Sequence, residues 1–109
     1  MVSYFVRYRG SSMNTDAFRT YYQTRHADLL RQFPNIRSLV LHGPTEWTDP
    51  FPVKRGDTFL LAQMVFDSAS DLDAALRSQA RRRARDDFQR FPPFDGDVTH
   101  EAMAGKIVF

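Results

Sequence analysis

The stretch TFLLAQMVF, at residues 58–66, is apolar on both faces of the β-strand that it predicts. Its side chains alternate into two apolar rows, with Leu60, Ala62, Met64 and Phe66 on one face and Phe59, Leu61 and Val65 on the other. Only Gln63 interrupts these rows. A strand in an antiparallel sheet with one solvated face should instead alternate between apolar and polar residues. Both faces of the sheet that contains this strand therefore need a cover.

Three more strands and two helices are predicted around this strand. Strand patterns occur at residues 2–9, 36–42 and 98–109, and apolar residues recur at helical spacing between Asn14 and Pro34 and again between Ser68 and Phe91. The second helix is expected to begin at Ser68 or Ser70 and to break near Ser78. The order β-α-β-β-α-β predicts an α+β ferredoxin-like fold, with a four-stranded antiparallel sheet and two helices on one face.

The two helices can cover only one face of this sheet. A second copy of the same sheet would cover the other face, and an isologous pair closes that arrangement. We therefore expect a homodimer.

The composition limits the remaining possibilities. The 109 residues suit a single domain, at 1–109. Cysteine is absent, which excludes disulfides, thiolate nucleophiles and cysteine-ligated metal centres. Small secreted domains commonly need disulfides, so we expect a cytoplasmic location. No apolar run approaches the roughly 18 residues of a membrane span, and the formal net charge is only +2. Neither a membrane nor a nucleic acid is an expected partner.

His26 is the leading candidate for chemistry. It lies four residues after Tyr22 and four before Leu30, so the three side chains share a helix face that should point toward the sheet. An ordinary histidine pKa of about 6.5 suits proton transfer near neutral pH. The alternative is a structural histidine that hydrogen-bonds to a backbone carbonyl.

Three segments resemble the EthD-like branch of the dimeric α+β barrel superfamily. They are MNTDAFRTYYQTRHADLL at residues 13–30, VFDSASDLDAAL at 65–76 and DDFQRF at 86–91, and the loop at 43–57 has no counterpart. The resemblance implies a dimer that stacks two sheets face to face, with one pocket per subunit between helices and sheet. Related proteins include muconolactone-type isomerases, cofactor-independent monooxygenases that act on polyketide aromatics, and haem-handling enzymes.

The resemblance places His26 in that pocket. In methylmuconolactone-isomerising relatives the matching histidine is implicated in catalysis together with a cysteine, which this chain lacks. Two other interpretations are less favoured. One is a metal site of His26 and His42, completed by Asp28 or Glu46, and the other is haem ligation by His26. No local ligand spacing such as HxxxH occurs to support a metal site. We therefore expect no metal and no bound cofactor.

Other side chains are candidates for holding a substrate. Tyr4, Tyr22 and Trp47, with Tyr8, could supply aromatic walls with a polar tip for a planar or hydroxylated ligand. Arg7 could bind a ligand carboxylate or pair with an acidic residue across the dimer. His42 lies two residues after Val40 on the predicted strand, so both side chains should project from the same face, toward either the pocket or the partner subunit. The predicted substrate-binding set is thus Tyr22, Tyr4, Arg7, His42 and Trp47.

The run QARRRARDD, at residues 79–87, invites a nucleic-acid interpretation. On a helix its arginines spread around the axis, and no aromatic side chains interleave with them to stack on bases. A solvated helix face is the preferred interpretation.

Two functions fit these patterns. The first is an enzyme that acts without a bound cofactor on a small aromatic or lactone-like metabolite, as an isomerase, lyase or monooxygenase, with His26 as acid or base. The second is a protein that binds or carries a small molecule without turning it over. In both cases a small-molecule ligand is expected.

Overall fold

The computed structural model describes residues 1–109. Its four-stranded sheet consists of β1 (Val2–Ser12), β2 (Ser38–His42), β3 (Thr58–Phe66) and β4 (Phe94–Ala104). The strands lie in the order β2-β3-β1-β4, and every neighbouring pair is antiparallel. The predicted ferredoxin-like fold is confirmed.

Two helical segments cover one face of the sheet. The first consists of α1 (Thr15–Tyr21), a π-helical turn (Tyr22–His26) and α2 (Ala27–Leu30), and the second consists of α3 (Ala69–Leu76), α4 (Gln79–Asp87) and a 3₁₀ turn (Phe88–Arg90). α4 packs against α2, and α3 packs against β1 and β3. None of these helices has the length and apolar character that crossing a membrane would require.

Side-chain caps explain where the helices begin. The Oδ1 of Asn14 accepts a hydrogen bond from the backbone N–H of Ala17 at 3.0 Å, and Ser68 caps α3 in the same way. Of the two predicted starts for the second helix, Ser68 is therefore the correct one. The predicted break near Ser78 is also confirmed, because Ser78 caps α4 and restarts the helix in a new direction.

The strand boundaries differ most from the prediction at β4. It begins at Phe94 and ends at Ala104, whereas residues 98–109 were expected. The earlier start depends on a close approach of two glycines: Gly10 (φ 141°) pairs with Gly96 (φ 153°), and a Cβ on Gly96 would lie 2.0 Å from the carbonyl oxygen of Arg9. Glycine permits this backbone, so β1 and β4 stay paired to Ser12 and Phe94.

The core lies between the helices and the sheet face that carries Tyr4, Val6 and Tyr8. Phe18 is fully buried at its centre, and its ring meets the rings of Tyr8 and Phe59 edge-on at centroid distances of 5.5 and 5.3 Å. Such edge-to-face pairs are the favoured arrangement of aromatic side chains. Phe59 was expected on the face of Leu61 and Val65, but the register shift between Tyr8 and Arg9 interrupts the alternation at this end of β3, and Phe59 joins the core.

The opposite sheet face carries no helix. Strand register places a row of apolar side chains on it, namely Phe5, Val40, Leu61, Val65 and Met103. Gln63 lies among them, and its polar atoms are already engaged: His42 Nε2 donates to its Oε1 at 3.1 Å, and its Nε2 donates to Ser3 Oγ at 3.2 Å. The same register puts polar and charged side chains on this side as well, namely Ser3, Arg7, His42, Thr99 and Glu101. We call this side of the sheet the open face.

Candidate active site

A cavity of about 410 Å³ lies between the helices and the sheet. Its floor is formed by Tyr4, Val6 and Tyr8 of β1, and most of its lining side chains are hydrophobic. A volume of this size lies within the range of about 300–1,000 Å³ that small-molecule sites occupy. The cavity is therefore a suitable size for a small ligand.

His26 lines this cavity and is paired with an acidic side chain. Its Nδ1 lies 3.0 Å from Oδ2 of Asp87, and both side chains are only 8% exposed. A carboxylate can only accept, so Nδ1 carries the hydrogen and donates it. The Tyr21 hydroxyl donates to the other carboxylate oxygen, Oδ1, at 2.7 Å. Asp87 is thus held between two donors and fixes the orientation of the imidazole.

The helix geometry around His26 supports this pairing. The π-helical turn contains both Tyr22 and His26, and their rings meet at a centroid distance of 4.8 Å. Phe91 also packs edge-on against the imidazole, at 4.7 Å. Single π-helical turns occur frequently at functional sites because they change the direction in which a side chain projects.

The environment keeps His26 in its neutral form. Burial lowers its pKa, and the hydrogen bond and charge of Asp87 offset only part of that effect. With Nδ1 engaged by Asp87, Nε2 has no hydrogen-bond partner within the chain. A neutral imidazole with a free Nε2 lone pair is the form that a general base requires.

Two tyrosines next to His26 remain protonated. Burial raises the pKa of Tyr8 and raises that of Tyr22 well above its ordinary value. Both side chains line the cavity, and their rings meet edge-on at 6.0 Å. The Tyr22 hydroxyl hydrogen-bonds to that of Tyr8 and raises its own pKa by doing so, so the Tyr8 hydroxyl is the donor left for a ligand oxygen.

Positive charge is concentrated on one side of the cavity. Arg81 and Arg85 of α4 both line it, together with His100 of β4. Burial and then the two guanidinium groups, first Arg85 and then Arg81, lower the pKa of His100. The apolar floor is thus bordered by cations.

The structure divides the predicted site residues into two groups. His26, Tyr22 and Tyr4 line the cavity, whereas Arg7 and His42 lie on the open face, on the other side of the sheet. Leu61 is the register partner of Arg7 on β1 and of His42 on β2. Because paired residues project from the same face of a sheet, Arg7 and His42 point away from the helices, as Leu61 does. Arg7 donates to the Thr58 hydroxyl instead of contacting the cavity.

Trp47 also lies outside the cavity. It belongs to the loop between β2 and β3, is 43% exposed, and stacks beneath the guanidinium of Arg55, whose carbon is 4.0 Å from the ring centroid. Arg55 also donates to the Trp47 carbonyl at 3.0 Å. The expected aromatic wall from this loop is therefore not formed within the chain.

The interpretation of 79–87 as a solvated helix face holds for only part of the run. Arg82, Arg83 and Arg85 are exposed and Arg81 is half-buried, but Arg81 and Arg85 also line the cavity, and Asp87 is buried beside His26. Ala80 and Ala84 are the buried positions that turn this side of α4 inward. The spacing Ala80, Ala84, Asp87 is the sequence signal that could have identified the inner face.

His100 was also missed, because β4 alternates only weakly between apolar and polar residues. No group of three histidine, aspartate or glutamate side chains is close enough to hold a metal ion. The two-histidine pairing considered from the sequence does not form, because His26 and His42 lie on opposite sides of the sheet.

Comparison with known proteins gives a family and a fold. The family model of the EthD domain matches residues 11–95, while no functionally curated protein matches the sequence. An EthD family protein from Bacillus halodurans superposes with a TM-score of 0.73 at 18% identity, covering 97% of this chain and 100% of its own.

Two further solved structures share the fold. SnoaB, a cofactor-independent oxygenase from Streptomyces nogalater, superposes with a TM-score of 0.62 at 11% identity, covering 98% of this chain and 94% of its own. A Deinococcus radiodurans protein, provisionally named an antibiotic biosynthesis monooxygenase, gives 0.66 at 14% identity, covering 100% and 97%. At these identities the similarity establishes the fold alone.

Proposed function

The chain belongs to the EthD family, and from this premise we propose that it is a small dimeric enzyme that acts without a bound cofactor on a small aromatic or lactone-like metabolite. His26 serves as its general acid or base. The observation that carries this proposal is the buried His26–Asp87 pair, whose free ring nitrogen is available to an apolar cavity.

The reaction begins with proton transfer. Neutral Nε2 of His26 takes a proton from an activated carbon of the ligand, and Asp87 stabilises the imidazolium that results. The electron pair left on carbon delocalises onto the neighbouring carbonyl oxygen, to which the neutral phenol of Tyr8 is suited to donate, with Tyr22 donating to Tyr8 in turn. Return of the proton to a different carbon gives an isomerase, and loss of a β-substituent gives a lyase.

A monooxygenase reaction begins from the same carbanion. For anthrone, the balanced conversion is C₁₄H₁₀O plus O₂ to anthraquinone, C₁₄H₈O₂, plus water. The carbon is oxidised and dioxygen is reduced, so no external reductant is needed. SnoaB, which shares this fold, is a cofactor-independent oxygenase, and this supports including oxygen transfer among the candidate reactions.

The open face supports the dimer in this proposal. Its centre is apolar, and Gln63 has both its donor and its acceptor engaged within the sheet. Burial of Gln63 therefore leaves neither its donor nor its acceptor unsatisfied, while the charged Arg7 and Glu101 on the same face need a partner across the interface or contact with solvent at its edge. A standard stable interface buries about 1,600 Å² in total, and a second sheet is the occupant that the EthD family membership favours. We also propose a cytoplasmic location, which the lack of any cysteine supports.

A protein that binds its ligand without reaction is the second candidate. It is favoured by the largely hydrophobic lining of the cavity. The two candidates differ in whether His26 transfers a proton.

Exchange of carbon-bound hydrogen for deuterium tests this difference directly. The wild-type protein is incubated in D₂O with anthrone and, separately, with α-angelica lactone, and deuterium incorporation, isomerisation and oxygen uptake are followed by NMR and an oxygen electrode. We expect accelerated exchange in at least one probe, with His26→Gln slowing it by about 10²–10⁴-fold.

The control is His42→Gln, which removes a histidine from the open face and should leave the exchange rate unchanged. Acceleration that persists in His26→Gln would exclude His26 as the base. Binding of both probes without any exchange would favour the second candidate.

A further inference from the structure

We propose that the ligand of this cavity is an aromatic anion, and that Arg81 and Arg85 determine this specificity by binding its carboxylate or phenolate. The inference builds on the proposed function by naming the class of substrate. It rests on the placement of α4 relative to the cavity.

The two arginines lie four residues apart on α4, so they project from the same side of the helix on successive turns. Both line the cavity, with Ala84 buried between them. The small alanine side chain lets α4 approach the sheet closely. Arg81 is half-buried at the border of the cavity, and Arg85 is exposed there.

Neither guanidinium is neutralised by a carboxylate. Arg81 makes only two long hydrogen bonds, to the Leu76 carbonyl at 3.3 Å and the Tyr4 hydroxyl at 3.4 Å, and Arg85 forms no hydrogen bond or ion pair. No aspartate or glutamate lines the cavity. Asp86 follows Arg85 directly but forms no ion pair with it, and Asp87 already accepts from His26 and Tyr21. An anionic ligand would supply the missing countercharge.

The remaining arginines of α4 show that this arrangement is specific to one face. Arg82 donates to the Gln79 side chain at 3.0 Å, and Arg83 is exposed. Neither lines the cavity. The effect of Arg85 and Arg81 on the pKa of His100 is consistent with their charge reaching across the cavity to β4.

The other surfaces of the cavity favour an aromatic body. Tyr8 and Phe88 are nearly parallel, at an interplanar angle of 23° and a centroid distance of 6.3 Å, and both line the cavity. Flat apolar walls suit a planar ring system, whereas the guanidinium fork suits a carboxylate or phenolate oxygen. A ring with one acidic substituent satisfies both.

The test compares two probes of nearly equal shape. 2-Naphthoate carries a carboxylate and 2-naphthamide a neutral carboxamide, and their affinities for the wild-type protein are measured by calorimetry at low ionic strength. We expect 2-naphthoate to bind at least about tenfold more tightly, as a charge-assisted contact provides. The preference should shrink as NaCl is added, because screening weakens ion pairing.

The variant Arg81→Gln/Arg85→Gln should bind both probes with similar affinity. The matched control, Arg82→Gln/Arg83→Gln, loses the same charge from the outer side of the same helix and should keep the preference. Equal affinity of the wild type for the two probes, or a preference that survives loss of Arg81 and Arg85, would refute the inference. The salt titration of the wild type gives an answer even if the double variant fails to fold.

Failure of this inference is distinguishable from failure of the proposed function. His26→Gln should slow proton exchange by about 10²–10⁴-fold yet retain the preference for 2-naphthoate, because the arginines remain in place. Loss of the probe preference with exchange intact would remove the anionic substrate class and leave the catalytic role of His26 standing.

Discussion

Replacing Asp87 by asparagine removes the charge beside His26 while preserving the size of the side chain. In the wild type the Asp87 carboxylate accepts a hydrogen bond from Nδ1 of His26 at 3.0 Å. Each of the two side chains is only 8% exposed to solvent. An amide in its place can donate to Nδ1 and thereby shift the ring hydrogen to Nε2. The lone pair that faces the ligand would then be lost.

The expected rate loss follows from that change of tautomer. The variant should lose about 10²–10⁴-fold in exchange rate, equivalent to about 3–5.5 kcal/mol of transition-state stabilisation. Replacing a hydrogen bond to a charged group by a neutral one should also lower the free energy of unfolding by about 1–2 kcal/mol. Binding of 2-naphthoate should change little, because Asp87 does not line the cavity.

The assay measures deuterium exchange with anthrone and α-angelica lactone, and ¹⁵N NMR of the imidazole reports the tautomer. Asp86→Asn is the matched control, because it removes the same charge from the neighbouring exposed position. A variant at position 87 that keeps the wild-type exchange rate, or that keeps the hydrogen on Nδ1, would refute the role assigned to the pair.

Three further predictions concern pH, assembly and strand pairing. Folding lowers the pKa of His26, so as the pH falls this histidine takes up a proton in the unfolded chain before it does so in the folded chain. The free energy of unfolding should therefore decline below a pH of about 6.5. The acid limb of the exchange rate should have its midpoint below that value and disappear in His26→Gln. Phe5→Lys on the open face should produce monomers or insoluble protein by light scattering, whereas Ala74→Lys on the exposed side of α3 should not; a wild-type monomer at micromolar concentration would contradict the dimer. Gly96→Ala should cost about 1–3 kcal/mol in thermal unfolding, and Gly56→Ala, where a Cβ has open space, should cost little.

The sequence alone predicted the elements of the fold because their signals are local. Nine consecutive residues of β3 show the strand pattern, and Asn14 and Ser68 are near enough to their helices to cap them. The inward direction of His26 followed from its spacing to Tyr22 on the same helix. The EthD resemblance was confirmed for the same reason, since its motifs are contiguous segments.

Only the tertiary structure decided what surrounds His26. Its partner Asp87 lies 61 residues away, within a charged run that has the composition of a solvated helix. Arg7 and His42 had the residue types of a binding site, but strand register put them on the other face, because neighbouring antiparallel residues share one side of the sheet. Which side of α4 faces the cavity depends on how the helix packs, and packing is a property of distant segments brought together. The chemistry of the site depends on those long-range contacts, which no single segment encodes.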